Sequence, residues 1–151
     1  MRNGKTLNLA IEFMQKKRDE MARQWQVLRQ DSDSAQELLN LLASYAQESQ
    51  TRWEMRSRNA TPQILMQQHF KVIEKLESAI SMQKEVLADK ELKCTHKRQL
   101  WTEAEQRVQI LQRYQNRCVA QHQAKVLKME QKQTDEFAIQ WGHFQKLKVS
   151  I

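Results

Sequence analysis

A chain of 151 residues with only two glycines and one proline has few places to turn, and long helices follow from that shortage. Charged residues make up 28% and aromatic ones 7%, with the apolar residues spread thinly along the chain, a balance that fits a narrow coiled-coil seam and excludes a thick globular core. The net charge of +7 comes from lysines and arginines interleaved with acidic residues, so a solvated basic helical surface is expected, without the dense one-sided stripe that nucleic-acid binding favours.

The opening M-R-N-G-K-T-L-N-L-A lacks the apolar core of a signal peptide, and no apolar run approaches the roughly 18 residues that span a bilayer, so a cytoplasmic chain is expected. A first helix is predicted from about residue 5 to 57. Its apolar positions follow a stagger of four and three: Leu7, Ile11, Met14, Arg18, Met21, Trp25, Leu28, Ser32, Ala35, Leu39, Leu42, Ala46, Ser49 and Trp53. Eleven of these fourteen are apolar, the 3.5-residue repeat of a coiled coil. The polar exceptions Arg18, Ser32 and Ser49 are isolated. Short polar side chains at Asp31-Ser32-Asp33-Ser34 compete for backbone hydrogen bonds and make a kink or cap conceivable there.

The only proline stands in S-R-N-A-T-P-Q, residues 57–63. Asn59 tolerates left-handed dihedrals, Thr61 is a good N-cap, and Pro62 suits the first position of a helix, where its missing N–H costs nothing. A turn at about 58–61 followed by a second helix from 62 to about 145 is predicted. The second seam runs Met66, His69, Ile73, Leu76, Ile80, Gln83, Leu87, Lys90, Cys94, Lys97, Trp101, Ala104, Val108 and Leu111, ten of the fourteen apolar. Helices joined by so short a turn run antiparallel and bury their seams together, with facing residue numbers adding to about 120. The expected fold is all-α, a single coiled-coil domain over 1–151 in which two long helices form an antiparallel hairpin. At 1.5 Å per residue the first helix is roughly 80 Å long and the second roughly 125 Å, so the second overshoots beyond about residue 115. That overshoot carries Val119, Val126, Met129, Phe137, Trp141 and Phe144, an apolar stripe that wants a partner.

The chemistry of a reaction centre is missing from the sequence. With Gly4 and Gly142 as the only glycines there is no loop to cradle phosphate, and neither G-x-x-x-x-G-K-[ST] nor G-x-G-x-x-G occurs. His69, His96, His122 and His143 are scattered, with no nucleophile or paired carboxylate spaced to form a pocket. Cys94 and Cys118 lie too far apart on one helix to bridge and are read as reduced thiols near the seam. No enzymatic activity, catalytic residue, cofactor or metal is expected. Arg107, Arg113 and Arg117 form the best local basic patch.

Three stretches carry a family resemblance: A-Q-E-L-L-N-L-L-A-S-Y-A-Q-E (Ala35 to Glu48), I-E-K-L-E-S-A-I (Ile73 to Ile80) and M-E-Q-K-Q-T-D-E-F-A (Met129 to Ala138). The last is the most specific, because a Q-K-x-x-D-E-F-A run near the end of a long helix is hard to obtain from generic coiled-coil composition. With them the chain resembles the FliJ family of the bacterial flagellar export apparatus over nearly its full length. The resemblance implies a hairpin similar to the central stalk of rotary ATPases, one that binds a hexameric flagellar export ATPase, contacts the cytoplasmic linker of the membrane export gate, and escorts export chaperones. It also implies peripheral association with the inner face of the cell membrane through those partners. The family's gate-docking surface corresponds to Leu38, Leu42, Tyr45, Ser49, Val72, Leu76, Ala79 and Gln83, of which Leu38, Ser49, Val72 and Gln83 depart from the family pattern. The ATPase-ring surface is expected at Arg107, Arg113, Arg117, Val119, Val126, Met129, Asp135, Glu136 and Phe137. An injectisome stalk protein is the close alternative; a basic coiled-coil nucleic-acid binder and a self-assembling filament are the rivals from other classes.

Overall fold

A computed structural model describes residues 2–59 and 62–149 of the chain. Two helices, α1 (Arg2–Ser57) and α2 (Gln63–Val149), pack against each other as a helical hairpin. Thr61, read as an N-cap, lies outside the described residues. The carbonyl of Pro62 accepts hydrogen bonds from the N–H groups of Leu65 (3.1 Å) and Met66 (3.3 Å), so the proline opens α2 from the position just before its first helical residue.

At the other side of the turn the Asn59 N–H donates to the Arg56 carbonyl at 3.2 Å, tightening the last turn of α1. No described residue other than glycine has a positive φ, so the left-handed conformation that Asn59 would tolerate is not used. The helix also runs unbroken through Asp31-Ser32-Asp33-Ser34. The side chains of Asp31, Asp33 and Ser34 are exposed, and the next residue, Ala35, is only 4% exposed, so tertiary burial holds a turn that local propensity would leave weak.

All fourteen predicted seam positions of α1 are buried or half-buried, as are thirteen of the fourteen on α2. The exception, Met66, is exposed beside the turn, where the facing end of α1 is itself exposed at Met55.

Cα packing divides the chain into two compact units, one from Gln15 to Glu105 and one combining the residues up to Met14 with those from Gln106 on. In the first, Leu87 on α2 is 8% exposed and Ala35 on α1 is 4% exposed. The polar positions of the seam meet partners. The Gln83 Nε2 donates to the Ala35 carbonyl at 3.0 Å, the Lys97 Nζ donates to the Gln24 Oε1 at 2.8 Å, and the Arg18 guanidinium pairs with Glu105 at 3.2 Å. Trp25 stacks on Trp101 with ring centroids 5.5 Å apart, and Trp53 lies over His69 at 4.4 Å with their planes 9° apart. Each of these pairs adds to about 120, the register of an antiparallel hairpin turning at Pro62.

Among the described residues of the second unit, Ile11 of α1 and Val108 of α2 are buried, and Val108 is fully enclosed. Asn8 and Gln115 are hydrogen-bonded across the seam. Cys118 is the last half-buried position of this seam, and every residue from Val119 to Trp141 is exposed. Cys94, in the first unit, and Cys118 are both free thiols, half-buried.

Candidate functional site

Among the described residues an open groove runs along α1, lined by Ser44, Gln47, Glu48, Thr51 and Arg52, the spacing of residues on one face of a single helix. Among the described residues no three His, Cys, Asp or Glu side chains gather into a metal site, and no helix is long and apolar enough to cross a membrane. Two regions gather exposed apolar and charged side chains.

The first lies on one flank of the unit spanning Gln15 to Glu105. A residue one position before a seam residue is rotated from it by about 100°. Because the two helices run in opposite directions, that same rotation brings such residues from both helices to the same side of the seam. Leu38, Leu41 and Tyr45 precede seam positions on α1; Val72, Ala79 and Val86 do so on α2. They form a shared apolar flank on which Leu38, Leu41, Tyr45, Val72 and Val86 are exposed and Ala79 is half-buried. Of the residues predicted for gate docking, Leu38, Tyr45, Val72 and Ala79 sit on this flank. Leu42, Ser49, Leu76 and Gln83 occupy the seam itself and are half-buried, and Gln83 is engaged with the Ala35 carbonyl. Val86 is not among the residues predicted for gate docking, yet it stands one position before the seam residue Leu87 and shares the same spacing.

The second region is the end of α2. Arg107, Arg113, Arg117, Val119, Val126, Met129, Asp135, Glu136 and Phe137 are all exposed there. Arg113 and Arg117, four apart, share a helix face, while Arg107 points to a different quarter. Trp141 and Phe144 stack on each other at 5.9 Å, adding an aromatic ledge further along. Tyr114 ionises above the usual tyrosine range, because its hydroxyl is hydrogen-bonded with the Cys118 thiol one turn on and the charge of that thiol opposes a phenolate, with a minor contribution from burial.

A family model described as "Flagellar FliJ protein" matches residues 4–146. The chain belongs to the FliJ family. Comparison with curated proteins and with solved structures gives no match. The match takes in both helices, the turn, the apolar flank and most of the exposed end of α2, so both regions lie within the family's own extent. FliJ is a structural and escort family of the flagellar export apparatus, and membership makes this chain a component of that apparatus.

Proposed function

We propose that this FliJ-family chain is the stalk and escort factor of flagellar protein export, acting in the cytoplasm and held peripherally at the inner face of the cell membrane by its partners. The end of α2 binds the hexameric export ATPase through Val119, Val126, Met129 and Phe137, with Asp135, Glu136 and the cluster Arg107, Arg113 and Arg117 contributing polar contacts. The flank of Leu38, Tyr45, Val72 and Ala79 meets the cytoplasmic linker of the export gate, bordered by Leu42, Ser49, Leu76 and Gln83. Export chaperones are the escorted cargo. ATP is hydrolysed by the partner ring; this chain contributes surfaces and no reaction chemistry.

The observation that carries the reading is the exposed end of α2. Family membership gives the apparatus, and the apolar residues beyond Cys118 give that apparatus something to hold. The reading is tested by using the chain as bait in extracts of the source cell and identifying bound proteins by mass spectrometry. The export ATPase should come down with the full chain and be lost with residues 1–118. Recovery of the ATPase by both baits would move the ring surface elsewhere.

A further inference from the structure

The flank that carries Leu38, Leu41 and Tyr45 on α1 and Val72 and Val86 on α2 also takes in Met82, which precedes the seam residue Gln83 and is exposed. Over the same stretch the residues one position after the seam, from Gln36 to Gln50 on α1 and from Glu74 to Ala88 on α2, are polar except for Ala43 and Ala88. One side of the seam is therefore apolar and the other polar. Two helices that bury only each other need two apolar positions per heptad, whereas a third, on one side, is the pattern of helices that face a larger bundle. Taking roughly 150–200 Å² for a fully exposed residue of this size, the six side chains at their observed exposures present roughly 500–600 Å² of surface, a patch as large as the functional ones of monomeric proteins.

The charges bordering this patch have a symmetry of their own. On α2, Lys75 and Asp89 lie one heptad either side of Met82; on α1, Asp31 and Arg52 lie about three turns either side of Leu41. All four are exposed and precede seam residues, so they share the flank with the apolar side chains. Leu41 and Met82 stand at one level of the hairpin, within the register bracketed by the Ala35–Gln83 and Trp25–Trp101 contacts. A two-fold axis crossing the flank at that level lays a second copy end for end on the first, α1 on α1 and α2 on α2, both antiparallel. Asp31 then comes opposite Arg52 of the second copy, Lys75 opposite its Asp89, Leu38 opposite its Tyr45, and Met82 opposite its counterpart. The other flank charges of this stretch, Glu48 and Lys93, fall opposite Ser34 and Val72, so no like charges are opposed. Laying the two copies in parallel would instead set Asp31 level with Asp89. Within each helix Arg52 pairs with Glu48 at 3.9 Å and Lys93 with Asp89 at 3.1 Å, exposed contacts of small worth that can be shared across an interface.

We propose that this flank is a self-association surface, through which two copies of the chain form an antiparallel four-helix bundle about a two-fold axis at Leu41 and Met82. Charges of opposite sign placed symmetrically about one point are what an isologous interface requires; an unrelated partner helix does not require them. The unit from Gln15 to Glu105 holds fifteen lysines and arginines against fourteen acidic residues, so two such units meet with little net repulsion. Two flanks together bury about 1,000–1,200 Å², at the lower edge of specific interfaces, so the dimer dissociates readily, with a constant in the micromolar range. The inference goes beyond the proposed function, because the dimer covers Leu38, Tyr45 and Val72 and so excludes gate docking while it lasts.

The test is sedimentation equilibrium of the full chain from about 1 to about 200 µM, with no other protein present. The mass should rise from 18.1 kDa toward twice that value. Lys75→Asp and Asp89→Lys, each alone, set like charges against each other twice per dimer and should weaken association at least about tenfold. An equimolar mixture of these two variants should associate again, because every carboxylate of one then faces an ammonium of the other. The uncharged double variant Leu41→Gln and Met82→Gln should also weaken association at least about tenfold, with melting at the lowest concentration unchanged. A monomer at every concentration would overturn the inference, as would a dimer that survives the double variant. Failure of the mixture to recover would refute the antiparallel arrangement. A chain that stays monomeric yet binds the export-gate linker would leave the gate reading standing and sink this one alone.

Discussion

Leu87→Ala gauges how much of the hairpin's stability resides in the seam. The side chain is 8% exposed, so truncation removes three carbons from a nearly closed site. At ~0.8 kcal/mol per buried carbon the lost burial amounts to about 2.4 kcal/mol. A two-helix interface can settle into the gap or admit water more easily than a thick core, so the added cavity cost should be small and the total about 2.5–3 kcal/mol. Leu92→Ala is the control, made five residues along the same helix where the side chain is 72% exposed; it should change stability by less than about 0.5 kcal/mol. Urea unfolding followed by circular dichroism at 222 nm reads both. The Leu87 variant should shift the midpoint at constant slope while the control stays with the parent. Equal effects of the two substitutions would refute the seam assignment, because helix propensity alone would then account for both.

Arg18 and Glu105 pair across the seam while each remains about a quarter exposed, so a double-mutant cycle to alanine should give a coupling of about 1 kcal/mol, and zero coupling would mean the pair is only geometric. Tyr45→Ala, at 51% exposure on the flank, should leave melting almost unchanged while reducing binding to the export-gate linker and motility; an equal loss of stability would make Tyr45 a core residue. In a Tyr45→Phe background, Cys118→Ala should lower the pH at which Tyr114 ionises, read by absorbance at 295 nm, since the hydrogen bond and charge that favour the neutral phenol are removed. With the folded value raised, whatever this contact adds to stability is present below the ordinary tyrosine pKa and fades as pH rises through the raised one. An unmoved titration would show that Cys118 is not the cause.

The seam was legible because burial in a coiled coil depends on a repeat that the sequence displays directly. Single polar residues did not break it: Arg18 and Lys97 were placed correctly although nothing in the sequence says that Glu105 and Gln24 receive them. Those contacts depend on rotamers and on the local register between helices, which vary by a residue or two along the hairpin. Pro62 marks in sequence where α2 opens, whereas the left-handed conformation that Asn59 would tolerate is not taken. For docking, helix spacing separates flank from seam and so brings Leu38, Tyr45, Val72 and Ala79 together. Resemblance alone groups them with Leu42 and Leu76, whose exposure depends on the partner helix and not on their own neighbours in sequence.

The central claim is that the end of α2 carries the surface for the export ATPase. Stimulation of the purified ATPase by the full chain and by residues 1–118, at equal concentrations, tests it most directly. The shorter chain keeps every half-buried seam position through Cys118 and should remain helical by circular dichroism. It should nevertheless fail to stimulate ATP hydrolysis or ring assembly, with Arg107, Arg113 and Arg117 alone giving only weak, salt-sensitive association. Full stimulation by the folded 1–118 chain would contradict the account.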